Sequence, residues 1–352
     1  MVHLPTDKAA ALAEKAHLAF VAEQFEQAEA LFTESSTLLR SHVVKSKAPD
    51  EDAARTWVAA HCGAASAARA QGGYARAEKR LNEAEAFVLR TYGAKDAVYA
   101  NVLNERGILR KYQGRFKEAE AEYKKCKPLI AKGFGKDSES MSVLLHNLGG
   151  IAHAQGHWKR AEAYAREGLR LRQSLPKPDA VAVAADQSAL AAILDVAGNH
   201  DEAATLLAEA LATFKKKLGP RSFEVGVTME TLGNLHYRIH DLPKADKLLT
   251  AALEIQQERL GAGHPELAFA LHNLAVVRID RGQPEDARPL LQEALATFKK
   301  TFGPKHANTL VVKDRLESLG KAAAPLKKAA PIPTKKPQRK TTKTAAKSKK
   351  AR

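Results

Sequence analysis

One alanine sets the interval of this chain. It stands at Ala77, Ala119, Ala161, Ala203, Ala245 and Ala287, each 42 residues after the last, with Ala28 in the same role 49 residues before Ala77. A fixed period of this size confines the fold, because a unit of that length cannot bury its apolar face alone and must stack on its neighbours. Twelve residues ahead of each anchor is another small side chain: Ala16, Ala65, Gly107, Gly149, Ala191, Gly233 and Ala275. Seven residues after it the small position returns as Ala84, Cys126, Gly168, Ala210, Ala252 and Ala294. Glycines keep the same interval between units at Gly93, Gly135, Gly219, Gly261 and Gly303, with Lys177 in the missing place.

Each unit reads as two helices. Tyr99, Leu103 and Gly107 recur along one face of the first, and Phe116, Ala119, Tyr123 and Cys126 along one face of the second, at helical spacing. The joints "QGG", "QGR", "QGH" and "AGN" supply a glycine that tolerates a left-handed helix end. Small residues at three fixed positions let the helices approach, and a large one four after the anchor (Phe32, Leu81, Tyr123, Leu207, Leu249, Leu291) fills the gap. The third full-period unit departs, with Ala165 there and Tyr164 one place earlier. Composition agrees: 45% hydrophobic residues but only 6% aromatic, with alanine and leucine dominating, favours helix over strand.

Small–x11–small–x6–small across a helical hairpin resembles the tetratricopeptide repeat, and the 42-residue unit is similar to repeats of the kinesin light chain type. The stretches "LHNLGGIAHAQGHWKRAEAYAREGLRL" and "LGAGHPELAFALHNLAVVRIDRGQPEDARPLLQEALATF" carry the likeness. It implies an all-α, right-handed α-solenoid over residues 1–320. The expected hairpins lie around 7–44, 52–92, 94–134, 136–176, 178–218, 220–260 and 262–302, with a capping helix at 304–320, where Glu317 replaces the usual small residue.

In this family the first helices line the concave face, so the resemblance implies a partner-binding groove. Its expected residues are Asn104, Lys111, His146, Asn147, His153, Asn234, Tyr237, Arg238, His272, Asn273 and Arg315, with His17, Arg69, Glu105, Tyr112, Ser188, Asp195, Glu230 and Thr231 at related positions. Such a polar ladder suits hydrogen bonding to an extended peptide; the plain alternative is a solvated helix face. Asn234, Asn273 and Arg315 also fall at the offsets of the carboxylate clamp found in chaperone-binding members, but Glu230 and Val311 stand where that clamp has lysines.

Enzyme signatures are absent: there is no GxSxG, HExxH or GxGxxG, and "GFGKDS" at 133–138 lacks the first glycine of a phosphate loop. Cys62 and Cys126 are too few for a disulfide framework; Cys126 reads as a packing thiol, and Cys62 falls on a groove position with no His locally placed as its base. His146, His153 and His157, or His236 and His240, share helical faces without nearby carboxylate or thiolate ligands. The sequence therefore predicts no enzyme, metal, cofactor or small-molecule substrate. It also predicts no secretory leader and no membrane span, and thus a cytoplasmic protein.

The formal net charge of +16 sits mostly at one end. Residues 321–352 hold 12 Lys and Arg and no acid, which leaves the first 320 residues at +4. The segment mixes these cations with Ala, Pro, Thr and Ser and predicts disorder. Lys327, Lys328, Lys335, Lys336, Arg339, Lys340, Lys343, Lys347, Lys349, Lys350 and Arg352 are the candidates for contact with nucleic acid or another anionic surface. A localisation address, "KKPQRK", or a solubility tag is the other reading, with nucleoid or nuclear association through the tail. The expected function is a protein–protein interaction scaffold holding a peptide or protein segment in the groove. The alternatives are a nucleic-acid-associated protein anchored by the tail and a peptide-sensing regulator.

Overall fold

The structure, a computed structural model, describes residues 5–320 except 23, 47, 48, 262 and 265. The basic segment 321–352 and every contact expected of it lie outside the described residues. Within them the chain forms fifteen α-helices and no strands. Seven antiparallel pairs follow one another: α1 (Pro5–Val21) with α2 (Phe25–Val43), α3 (Glu51–Ala70) with α4 (Tyr74–Thr91), α5 (Val98–Tyr112) with α6 (Phe116–Gly133), and α7 (Glu139–Ala154) with α8 (Trp158–Gln173). Then come α9 (Ala180–Ala197) with α10 (His200–Leu218), α11 (Phe223–Arg238) with α12 (Leu242–Leu260), α13 (Leu267–Asp280) with α14 (Pro284–Phe302), and the single helix α15 (Ala307–Gly320).

The 42-residue anchors explain how closely each pair packs. All seven anchor alanines are buried. At Gly107 a Cβ would meet the Tyr123 ring at 2.3 Å, and at Gly233 it would meet Leu249 at 2.8 Å, so the large residue of the second helix occupies the space that glycine vacates. The departing unit follows the same logic differently. A Cβ on Gly149 would lie 3.4 Å from the Ala161 carbonyl oxygen and 3.5 Å from the Ala165 nitrogen, so backbone, not a ring, closes that contact.

Two kinds of local chemistry set the ends. From the second pair to the seventh, the turn inside the pair takes one left-handed residue: Gly72, Gly114, Gly156, Gly198 and Gly282 have positive φ, and in the sixth pair the same place is taken by His240 at φ 62°. First helices open on capping side chains at the same register. Asp96, Ser138, Asp179 (one place early) and Ser222 accept from backbone N–H groups two or three residues on, and His264 and His306 do so through Nδ1.

Layering follows from which helices touch. Every helix packs on its sequence neighbours, but from α1 to α13 the backbone of each odd-numbered helix also comes close to that of the next odd-numbered one, whereas successive even-numbered helices meet through long side chains, as Arg160 does with Glu120 and Arg166 with Glu202. The odd helices are therefore the inner, concave layer and the even helices the outer one. Buried side chains form a series of clusters along the array rather than one centre. Helix α9 has the length and hydropathy of a membrane-crossing segment, yet Asp186, Gln187 and Asp195 are buried within it and bonded to neighbouring helices.

Candidate functional site

The concave face is built from one stripe on each odd helix. On α7 it runs through Val143, His146, Gly150 and His153; on α9 through Ala185, Ser188, Ala189, Ala192 and Val196; on α11 through Val227, Thr231, Asn234 and Arg238. Small residues keep the floor of α7 and α9 shallow, and the polar groups stand on it or beside it.

Many of the polar groups bind each other across one repeat. Asn147 Nδ2 donates to Asn104 Oδ1 at 3.0 Å, Asn273 Nδ2 to Glu230 Oε1 at 3.2 Å, and the Tyr237 hydroxyl to Asp280 Oδ2 at 2.7 Å. Arg238 pairs with Asp195, which also faces His200 Nδ1 at 3.0 Å. Each of the first four contacts spans 43 residues, one period plus one. They are side-chain staples between successive inner helices.

The expected groove residues thus divide. Asn147, Tyr237, His272 and Asn273 lie below the surface, at 7%, 9%, 0% and 1% exposure, because their positions face the next inner helix rather than the open groove. Asn104, Lys111, His146, His153, Asn234, Arg238 and Arg315 are half-buried along the face. Arg69 lies with its guanidinium 4.7 Å from the centre of the Tyr112 ring.

Electrostatics follow burial. Desolvation raises the Glu230 carboxyl to about 7, although Gln256 Nε2 at 2.9 Å and Asn273 both donate to it. The same cause raises Glu105, against the opposing pull of Arg69, and Asp195, against that of Arg238. His272 is lowered to about 3, first by burial and then by Arg315, so its imidazole is neutral at physiological pH. Burial in turn lowers the Arg315 guanidinium.

These facts dispose the carboxylate clamp. Asn273 is committed to Glu230, and Arg315 shares its surroundings with Tyr237, Asp280 and His272, so Asn234, Asn273 and Arg315 do not converge on one open cation-lined pocket. The histidine sets separate as well. His146 Nδ1 is 2.7 Å from Asp186, whose other oxygen accepts from Arg172 Nε at 2.5 Å; His153 stands edge-on to Trp158, and His157 is exposed at the start of α8. His236 lies 3.3 Å from Asp241, with His240 in the turn. Among the described residues no three His, Cys, Asp or Glu side chains cluster as a metal site would require. Cys62 and Cys126 are buried, and burial pushes both thiols up, Cys126 to about 12. A thiol so shifted is not a nucleophile at neutral pH.

Asp186, Arg172, Gln256 and Asp280 hold this face in place and were not singled out from sequence. The signal that finds them is a pair of complementary polar residues one period plus one apart, as at Asp195 and Arg238, or a lone charge inside an apolar helix, as at Asp186.

The tetratricopeptide repeat family model matches in five overlapping windows, residues 99–174, 140–216, 181–258, 224–300 and 266–318, more than half of the chain. The chain belongs to the tetratricopeptide repeat family. Among solved structures, this tetratricopeptide repeat chain is similar to a Rap protein complexed with Competence and Sporulation Factor, at 15% identity and TM-score 0.64, covering 90% of this chain and 88% of that one. It is similar to NprR in complex with its cognate peptide NprX at 16% identity and TM-score 0.61, covering 89% and 84%. Kinesin-light-chain-like repeats from Podosopora anserina match at 22% identity and TM-score 0.45, over 56% of this chain and 94% of that one. No curated protein matches the chain. At these identities the likenesses establish the fold.

Proposed function

We infer that the solenoid is a non-enzymatic interaction scaffold whose concave groove over α7, α9 and α11 holds an extended peptide or protein segment. One observation carries the reading. Ser188 and Asn234, on neighbouring inner helices, are half-buried at the groove surface, and exposed Val196 and Val227 stand beside them on the same stripes. Polar side chains alternating with exposed apolar ones on a concave face suit a main chain with small apolar side groups. The inner helices offer a continuous face, and the staples hold it in shape before anything binds, which lowers the ordering cost of association.

The similar folds of the Rap protein and NprR, each recorded in complex with a factor or peptide, support the same assignment. The test is selection of a random extended-peptide library on the full chain, followed by titration of the enriched sequences against wild type and Asn234→Ala with Val227→Lys. Enriched peptides that bind wild type and lose at least tenfold on the double variant support the groove. Peptides that bind both proteins equally, or a selection that enriches nothing, overturn it.

A further inference from the structure

Outside the groove, the most strongly charged feature of the described residues is an edge of the array. Outer helices end and inner helices begin along one side, where the loops between pairs lie. There Lys215, Lys216 and Lys217 close α10, Lys299 and Lys300 close α14, and Lys305 stands in the loop before α15. Lys215 and Lys216 occupy the same repeat positions as Lys299 and Lys300, 84 residues apart. All six side chains are exposed and none forms an ion pair. In residues 213–224 the only acid is Glu224, and 297–309 contain none. The helix end between them, at α12, offers Glu258, but Arg221 already holds it with Nε 2.6 Å away.

Helix stabilisation accounts for part of this placement, because a cation in the last turn complements the negative end of the helix dipole. It does not account for Lys305. Lys305 sits just ahead of the α15 N-terminus, where a positive charge is unfavourable to the helix. No exposed large apolar side chain stands among the six; of the nearby aromatic rings, Phe214 and Phe298 are buried, and Phe223 and Phe302 are half-buried, with Phe302 stacked on His306 at 4.7 Å. That removes both an apolar wedge for a lipid surface and a stacking platform for unpaired bases. What remains is two clusters of ammonium groups carried on fixed helix ends, each a point charge with donors and no acceptor, which suits phosphate oxygens without reading sequence.

We propose that this lysine edge binds double-stranded nucleic acid through its phosphate backbone, independently of the groove. The chain continues past Gly320 with the 12 cations of residues 321–352, and Gly320 is only one α15 length, about 20 Å, from Lys305. The folded edge would add its own counterion release to any that the tail supplies.

The experiment measures binding of the full chain to a mixed-sequence 20-bp duplex by fluorescence anisotropy across a salt series. Three variants accompany wild type. One changes the six edge lysines to Ser, one changes them to Arg, and one changes six exposed lysines elsewhere (Lys79, Lys117, Lys127, Lys159, Lys244, Lys247) to Ser. The expected result is a slope of log affinity on log salt that becomes shallower by up to about 5 in the edge-to-Ser variant alone. Equal changes in the two Ser variants would mean that net charge, not placement, matters, and overturn the proposal. So would an unchanged slope, which assigns all binding to the tail. Loss of adsorption to phosphatidylserine vesicles with duplex binding intact would transfer the edge to an anionic membrane surface.

Discussion

Asn273 on α13 donates its side-chain amide to Glu230 on α11, one repeat away, and both side chains are almost wholly withdrawn from water. The carboxylate has two neutral amide donors, Asn273 and Gln256, and burial raises its pKa to about 7. The nearest charged influence on it is another acid, Glu266, which pushes in the same direction.

The Glu230 shift makes stability depend on pH. Its folded pKa lies above the ordinary unfolded value of about 4.3, so the folded chain binds the proton more tightly. The associated stability is complete below about pH 4.3 and is lost as pH rises through 7, on the order of 3 kcal/mol in all. Glu230→Gln should flatten that fall. Urea midpoints at pH 5 and pH 8 test it: wild type loses stability between the two and the variant loses much less. Parallel losses in both proteins would remove Glu230 as the cause.

Two glycines at the same repeat position should respond differently to alanine. Gly107→Ala drives a methyl into the fully buried Tyr123 ring and should cost about 1–3 kcal/mol. Gly149→Ala meets its nearest atom at an ordinary 3.4 Å and gains helix propensity, so it should be neutral or stabilising by up to about 1 kcal/mol. Thermal melts of the two variants decide the matter, and equal midpoints would contradict the packing account.

His240 carries a left-handed backbone that the five equivalent turns give to glycine. A side chain there costs about 1–2 kcal/mol, partly offset by the extra freedom glycine has when unfolded. His240→Gly should therefore raise stability by about 0.5–1 kcal/mol, read as a higher melting midpoint. A lower midpoint would show that the imidazole makes a compensating contact.

Arg238 and Asp195 staple α11 to α9, with the aspartate side chain 3% exposed and the arginine 28%. Arg238→Ala leaves a buried carboxylate facing only His200 and should cost about 2 kcal/mol at pH 7. Burial has already raised the Asp195 carboxyl, so the loss should shrink as pH falls and the group protonates. A double-mutant cycle with Asp195→Asn measures the coupling, expected at about 1–2 kcal/mol. A coupling near zero at pH 7 would reduce the pair to a surface contact.

The hairpins were legible because their determinants are local. Ala119 and Gly107 are small where a ring must fit, and Gly114 bends left where the chain must turn, all within one unit. The polar face was legible as positions but not as a network. Nothing within a helix tells Asn273 that Glu230 faces it, because the meeting depends on how far one inner helix is rotated and shifted against the next. For the same reason Tyr237 and His272 read as groove-facing yet are buried between helices. Asp186 escaped notice because its partners, His146 and Arg172, come from two other helices.

The staples that span 43 residues also govern how such a chain can change length over generations. Inserting or deleting one residue within a repeat would rotate one inner helix by about 100° against the next and part Asn147 from Asn104 or Arg238 from Asp195. Gaining or losing a whole 42-residue unit keeps every inner helix in register with the next, and only the staples at the junction change partner. The array is thus free to grow or shrink by whole units while resisting smaller steps inside its helices, and the seven extra residues between Ala28 and Ala77 are absorbed in the connection between α2 and α3.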